Sequence, residues 1–376
     1  MLVAALLAGC AEFPDSGPRD WREKPELDVQ AGPQPQVPGE PQGPRPGQPG
    51  PNPSGPPAAP EGCVDPDPQV IATCLESVTA IAVLPGGVAA LVAERSTGRV
   101  LRVEQGVEPV EIARLPADPT AADGGVTGLV LSPSYHEDEL IYAYVTTATD
   151  NQVMRIAPGG DPPKVVLAGI PRGISGNGGA LTTDANGALL VATGDAGVPT
   201  AADDPASLAG KVLRIDPFGA AARDNPDPTS RVVAGGLHNP GGLCVDPVEG
   251  TTWVTDRTGQ RDSLYRVQPG KPLGAPSWTW PDRPGVAGCA AVPGLVAVSL
   301  TFGASLYVLR PGPDGMFTGK PEPTLKNAYG RLHAAALGPD GLLWLGTVNK
   351  IGGAPVSSDD RVIRIQPPSA GGGGVD

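Results

Sequence analysis

Basic residues are scarce in this chain: 27 lysines and arginines stand against 40 aspartates and glutamates in 376 residues, giving a net charge of −13 and a pI near 4.7. That balance excludes nucleic acid as a partner, because a phosphate backbone demands a basic footprint. It also excludes docking on an anionic membrane surface through protein charge. Long apolar runs are missing too. The run that opens the chain, MLVAALLAG, has nine residues before Cys10 and is too short to span a bilayer. No CxxC spacing occurs and no histidine lies near a cysteine, which argues against a thiolate metal site. No stretch shows a convincing helical period.

What is present falls into three parts. Residues 1–10 end in Leu-Ala-Gly-Cys, the lipobox pattern in which small residues precede a cysteine that is acylated and becomes the mature N-terminus. Cys10 is therefore the expected lipidation site, tying the protein to membrane lipid. A signal peptide also needs a positively charged segment ahead of its apolar run, and none is seen, so the natural start is expected upstream. Residues 11–62 are a Pro/Gly-rich linker. Twelve of residues 31–60 are proline, with no aromatic, Ile or Leu among them. Such a segment cannot bury enough apolar surface to offset its ordering entropy and is expected to be a disordered stalk. Residues 63–376 are long enough for a substantial core.

With Cys10 lipidated, four cysteines remain: Cys63, Cys74, Cys244 and Cys289. An even number in an exported chain points to two disulfides. Three pairings are possible. The local pair Cys63–Cys74 is favoured, which leaves Cys244–Cys289.

One phrase repeats through the third part: an apolar run, a polar turn, then an aliphatic-x-Arg-aliphatic run. Its arginines are Arg102, Arg155, Arg214, Arg266 and Arg364, with Val308 in the fifth copy. Arg102 and Arg364 lie five intervals of about 52 residues apart. The segments are rich in β-branched residues, alternate with period two and are punctuated by Pro-Gly, Asp-Gly and Asn-Gly turns. Four short strands per unit, repeated six times around an axis, make an all-β, six-bladed β-propeller. The repeated arginine reads as a solvated strand residue rather than a ligand.

Six segments carry a family resemblance. They are GGVTGLVLSPSYHEDELIYAYVT (124–146), GNGGALTTDANGALLVATGDAG (176–197), SLAGKVLRIDPFG (207–219), GLHNPGGLCVDPVEGTTWVTDR (236–257), WTWPD (278–282) and YGRLHAAALGPDGLLWLGT (329–347). In this order they resemble the glucose/sorbosone dehydrogenase family. The lipobox, stalk and cysteine placement look most like its actinobacterial branch, the mycobacterial LppZ-type lipoproteins. The resemblance implies a six-bladed propeller that oxidises an aldose-type sugar at C1 with pyrroloquinoline quinone (PQQ) and Ca²⁺. It implies that Asp123, Asn177, His238, Asn239, Arg331 and His333 hold the cofactor, and that Asp195 and Asp256 are the metal carboxylates.

The chain departs from the family where the chemistry would be done. The family's catalytic base is a histidine just before the Gly-Gly pair, and Gly176 stands there. Family arginines are replaced by His238 and His333. An imidazole suits a base near neutral pH, so His238 is a possible substitute. His136 falls in an expected surface turn. Gly-Asp195-x-Gly also reads as an ordinary turn between strands. Trp278 and Trp280 point the same way along a strand, toward a sugar or toward rim packing.

Three functions follow as expectations. One is a PQQ-dependent sugar dehydrogenase. The second is a non-catalytic propeller lipoprotein binding an envelope carbohydrate or a partner protein. The third is a calcium-dependent lactonase or esterase that gathers Asp123, Asp195, Asp256 and Asn239 on one metal. The expected place is the extracytoplasmic face of the cell membrane. The expected ligand is a sugar or envelope glycan, and the expected state a monomer.

Overall fold

The computed structural model describes residues 60–368, apart from 119, 313–315, 318–320 and 322. Cys10, the leader and nearly all of the stalk lie outside the described residues.

Six four-stranded antiparallel sheets form the expected propeller. Blade 1 runs Val78–Val83, Ala89–Glu94, Arg99–Glu104 and Val107–Arg114 from the axis outward. The inner strands of the next five blades are Val126–Leu131, Gly179–Thr183, Pro240–Val245, Val286–Val292 and Leu332–Leu337. Blade 6 is completed by the start of the domain: Val70–Ala72 pairs with Val362–Ile365 as its outermost strand. The ring therefore closes by joining the first strand to the last blade. One helical turn, Tyr135–Asp138, occupies the expected surface turn around His136. No described helix is long and apolar enough to cross a membrane.

The repeated phrase is the second and third strand of each blade. Arg102, Arg155, Arg214, Arg266 and Arg364 face Leu91, Tyr142, Leu190, Trp253 and Trp344 in the same register, and Val308 faces Ala297. Arg214 departs from the solvated role. It is buried and paired with Asp184 and Asp224, which compensate its desolvation.

Blade shape follows from residue size. Near the axis a Cβ on Gly242 or Gly288 would lie 2.6 Å from the backbone of the neighbouring inner strand, so only glycine lets the strands approach this closely. At this level the axial channel is constricted to about 40 Å³, and it widens to about 500 Å³ toward the other ends of the same inner strands. Farther out, Tyr142, Tyr144, Trp253 and Trp344 are fully buried and fill the widening wedges between blades. The two expected disulfides are formed. Cys244–Cys289 joins the inner strands of blades 4 and 5, and Cys63–Cys74 encloses the ring-closing strand.

Inner strands begin with a slip in register in five of the six blades, between Val78 and Ala80, Val126 and Gly128, Pro240 and Gly242, Val286 and Cys289, and Leu332 and Ala334. Such bulges bend a strand and re-aim its side chains. All five lie at the end of the barrel where the interblade links enter.

Candidate functional site

On that face the interblade links and the middle hairpins surround a cavity of about 700 Å³, a size typical of small-molecule sites. Each blade boundary sends in a residue of different chemistry. Asp123 comes from the link between blades 1 and 2, and Gly176 from the next link. Asp195 comes from the middle hairpin of blade 3, and His238 with Asn239 from the link to blade 4. Arg257 and Asp262 end and begin the two strands of the blade 4 hairpin, facing each other in register. Arg283 and Phe302 close the far side.

His238 and Asp195 are joined twice. The imidazole Nδ1 lies 2.9 Å from Asp195 Oδ2, and the backbone N–H of Asp195 donates to the His238 carbonyl at 2.8 Å. The other carboxylate oxygen, Oδ1, accepts the Gly197 N–H at 2.8 Å. The Asp195 side chain is 7 % exposed and that of His238 36 %. The bond to Asp195 raises the His238 pKa above its ordinary value, against the opposing effect of burial, and the charge of Asp256 adds to the rise. With Nδ1 engaged, the nitrogen left for a ligand is Nε2, which has no hydrogen-bond partner among the described residues.

Asp256 lies beneath this pair and is fully buried. Its Oδ1 accepts the N–H groups of His238 at 3.0 Å and Asn239 at 2.7 Å, fixing the loop that carries both residues. Burial raises its pKa to about 6, against the lowering effect of those donors. Asn239 Oδ1 in turn accepts the Gly178 N–H at 3.1 Å. The Gly-Gly pair of the sequence is explained here. A Cβ on Gly178 would lie 2.3 Å from Asn239 Oδ1, and one on Gly179 2.3 Å from the Tyr144 ring.

The opposite wall is cationic. Arg257 Nη2 is 3.6 Å from Asp123 Oδ1, and its buried Nε has no hydrogen-bond partner. Arg95 donates to the Gly124 carbonyl at 2.8 Å. Burial lowers the Arg95 pKa, Asp123 opposes that, and the charge of Arg257 adds to it. His333, in the inner-strand bulge of blade 6, has a buried Nδ1 without a partner. Its pKa is pushed down to about 3 by burial first, then by the charges of Arg257 and Arg95. It is therefore neutral across the physiological range.

Of the residues named from sequence, Asp123, Gly176, Asp195, His238 and Asn239 line the cavity. Asn177, Arg331 and His333 do not line it. Asn177 is buried, bonding Gly173 and the Ala122 carbonyl, and so shapes the loop from below. Arg331 turns outward to the Ile351 carbonyl and the Phe302 ring. The two carboxylates named for a cation are each engaged within the protein. Asp256 is committed to backbone N–H groups and Asp195 to Gly197 and His238. No group of three or more His, Cys, Asp or Glu side chains that could hold a metal occurs among the described residues. That also removes the metal cluster the lactonase expectation needs. Trp278 and Trp280 pack edge to face on the outer strand of blade 4 and do not line the cavity.

Arg257, Arg95 and Asp262 escaped sequence reasoning. Arg257 follows Asp256 directly in Thr-Asp-Arg, at the end of a strand that opens on the cavity face. That position was the available signal.

A family model described as glucose/sorbosone dehydrogenase matches residues 75–290. The PQQ-bound aldose sugar dehydrogenase from Streptomyces coelicolor is 30 % identical, with a TM-score of 0.74 over 82 % of this chain and 99 % of that one. An oxidoreductase from Thermus thermophilus, named as a glucose dehydrogenase, is 31 % identical, with a TM-score of 0.72 over 79 % and 98 %. Aldose sugar dehydrogenase YliI of Escherichia coli K12 is 28 % identical over 176 residues, 42 % of this chain and 47 % of that one. The chain spans about half the length of the curated relatives it matches.

Proposed function

Because the chain belongs to the glucose/sorbosone dehydrogenase family, we propose that its cavity binds PQQ and that it oxidises an aldose-type sugar at C1. The observation that carries this reading is the cationic wall. Arg257 lines a cavity large enough for a planar anion, and its Nε N–H has no partner within the protein. A guanidinium is suited to pairing with the quinone's carboxylates. Arg257 would hold it, with Arg283 on the facing side, and PQQ when bound supplies a two-electron oxidant. Asp256 keeps His238 and Asn239 in place at the polar edge of the cavity. The side chains give Ca²⁺ no comparable support, and no step is assigned to it.

Gly176 favours one competing reading, a non-catalytic platform that binds an envelope carbohydrate or a partner protein. The two readings separate in one titration of the full chain with PQQ, with and without Ca²⁺, followed by absorbance and melting temperature. A ligand that binds only the folded state must raise that temperature. A saturable rise supports the dehydrogenase reading. No rise at high PQQ, together with saturable glycan binding, supports the platform.

The same proposal places the protein on the extracytoplasmic face of the cell membrane as a monomer, anchored by acylated Cys10. Cys10→Ala should move it from the membrane fraction to the soluble one. Retention in the membrane fraction would refute the anchor.

A further inference from the structure

We infer that His238, oriented by Asp195, does the work of the base that Gly176 does not supply. This inference rests on the reading of the cavity as a quinone and sugar site. Three features of the geometry carry it. First, position 176 is closed: a Cβ there would lie 2.6 Å from Asp195 Oδ1 and 2.7 Å from the Gly197 nitrogen. The place a family histidine would use is taken by the Asp195 carboxylate. Second, that carboxylate holds Nδ1 of a different histidine at 2.9 Å. A carboxylate on Nδ1 fixes the tautomer with its proton on Nδ1 and the lone pair on Nε2. Third, His238 lines the cavity while its backbone N–H is clamped by Asp256 at 3.0 Å, so the residue is held at its main chain and at Nδ1 with Nε2 left free.

In the step assigned, Nε2 accepts the proton of the sugar C1 hydroxyl. PQQ, when bound, would be the two-electron oxidant that takes the C1 hydrogen as hydride. The C–O bond becomes C=O, and the proton rests on the imidazolium, whose charge Asp195 balances. His238 is the catalytic residue and Asp195 the positioning residue.

The test uses the full chain, its His238→Gln and its Asp195→Asn variants. PQQ binding is read by absorbance, and quinone reduction after mixing with excess aldose by rapid absorbance. At saturating PQQ, with occupancy confirmed by absorbance, His238→Gln should reduce the quinone about 10²–10⁴-fold more slowly, the usual worth of a general base. Reduction at the wild-type rate overturns the inference and leaves the cofactor reading intact. Binding without reduction by any aldose in the wild type overturns the inference and the oxidation reading, and leaves quinone binding alone standing. Absence of PQQ binding overturns both. A readout without cofactor is nitrogen-15 NMR of the imidazoles, tractable because the chain has three histidines. His238 should be protonated at Nδ1 and bare at Nε2, and Asp195→Asn should mix the tautomers. An unchanged spectrum in that variant removes the positioning role.

Discussion

Gly176 and Asp195 share a space that admits no third group: a Cβ built on the glycine falls 2.6 Å from Asp195 Oδ1. Gly176 also has φ +68°, a conformation L side chains rarely adopt. Putting the family histidine back at this position therefore does not restore the family arrangement. Gly176→His should cost at least about 1–2 kcal/mol from the backbone alone and break the Asp195–His238 pair. Chemical denaturation together with the imidazole spectrum checks both effects. A variant as stable as the wild type with the pair intact would refute this reading.

Asp256 gives the protein a stability that depends on pH. Its folded pKa of about 6 lies above the ordinary 3.8, so the folded state holds more protons between those values. Stability contributed by this group therefore falls as pH rises from 4 to 6, by on the order of 2–3 kcal/mol in total. The difference in unfolding free energy between wild type and Asp256→Asn should move by that amount between pH 4 and 7. A flat difference would mean that the carboxyl is already ionised at pH 4.

His238 titrates above its ordinary value, and only its neutral form accepts a proton. Quinone reduction should therefore rise with pH through a midpoint above 6.5. The groups acting on this ring are Asp195, Asp256 and Asp203. Removing the largest influence by Asp195→Asn should lower the midpoint. A profile that stays put would show that the carboxylate does not tune the imidazole.

Arg257→Gln should weaken PQQ about 10- to 100-fold, the worth of about 1.5–3 kcal/mol for one hydrogen bond to a charged group. Thermal shift against PQQ concentration measures it. The same substitution removes a positive charge from beside His333, so the His333 pKa should rise from about 3. Unaltered affinity would place the quinone elsewhere.

The two disulfides should differ in worth. Cys244–Cys289 spans 45 residues and Cys63–Cys74 spans 11. By loop entropy the first contributes about 4 kcal/mol and the second about 3. Paired Cys→Ala variants, compared by denaturant unfolding, should rank in that order. Equal losses would point to enthalpic rather than chain-entropy stabilisation.

The blade count was legible because the second and third strands of each blade carry the same pattern, with an arginine or Val308 at one register position. The inner strands carry no such mark. They are rich in Gly and Ala, since the axis leaves no room for the large residues that make a periodicity visible. The closing strand of blade 6 was hidden for another reason. Its outer strand is three residues near Val70 whose partner, Ile363, lies nearly three hundred residues away. At the site, Asp195, His238 and Asn239 were found because the motif surrounding them is distinctive. Asn177, Arg331 and His333 sit in equally distinctive strings, yet Asn177 is tied down by Gly173 and Ala122, Arg331 by Ile351 and Phe302, and His333 falls in the inner-strand bulge of blade 6. No pattern in one sequence reports where a bulge falls.

Cys63 and Cys74 bracket the strand that closes the ring, and this decides how the molecule bears a load. Tension applied to the chain ahead of Cys63 passes through the sulfur–sulfur bond to Cys74 and bypasses Val70–Ala72. It arrives next to Leu75, whose N–H and C=O are both bonded to Asp360 of the last blade. A pull on the N-terminus is therefore delivered to the seam between blade 6 and blade 1, while the three-residue clasp stays slack. Under reducing conditions the same pull would peel the clasp first.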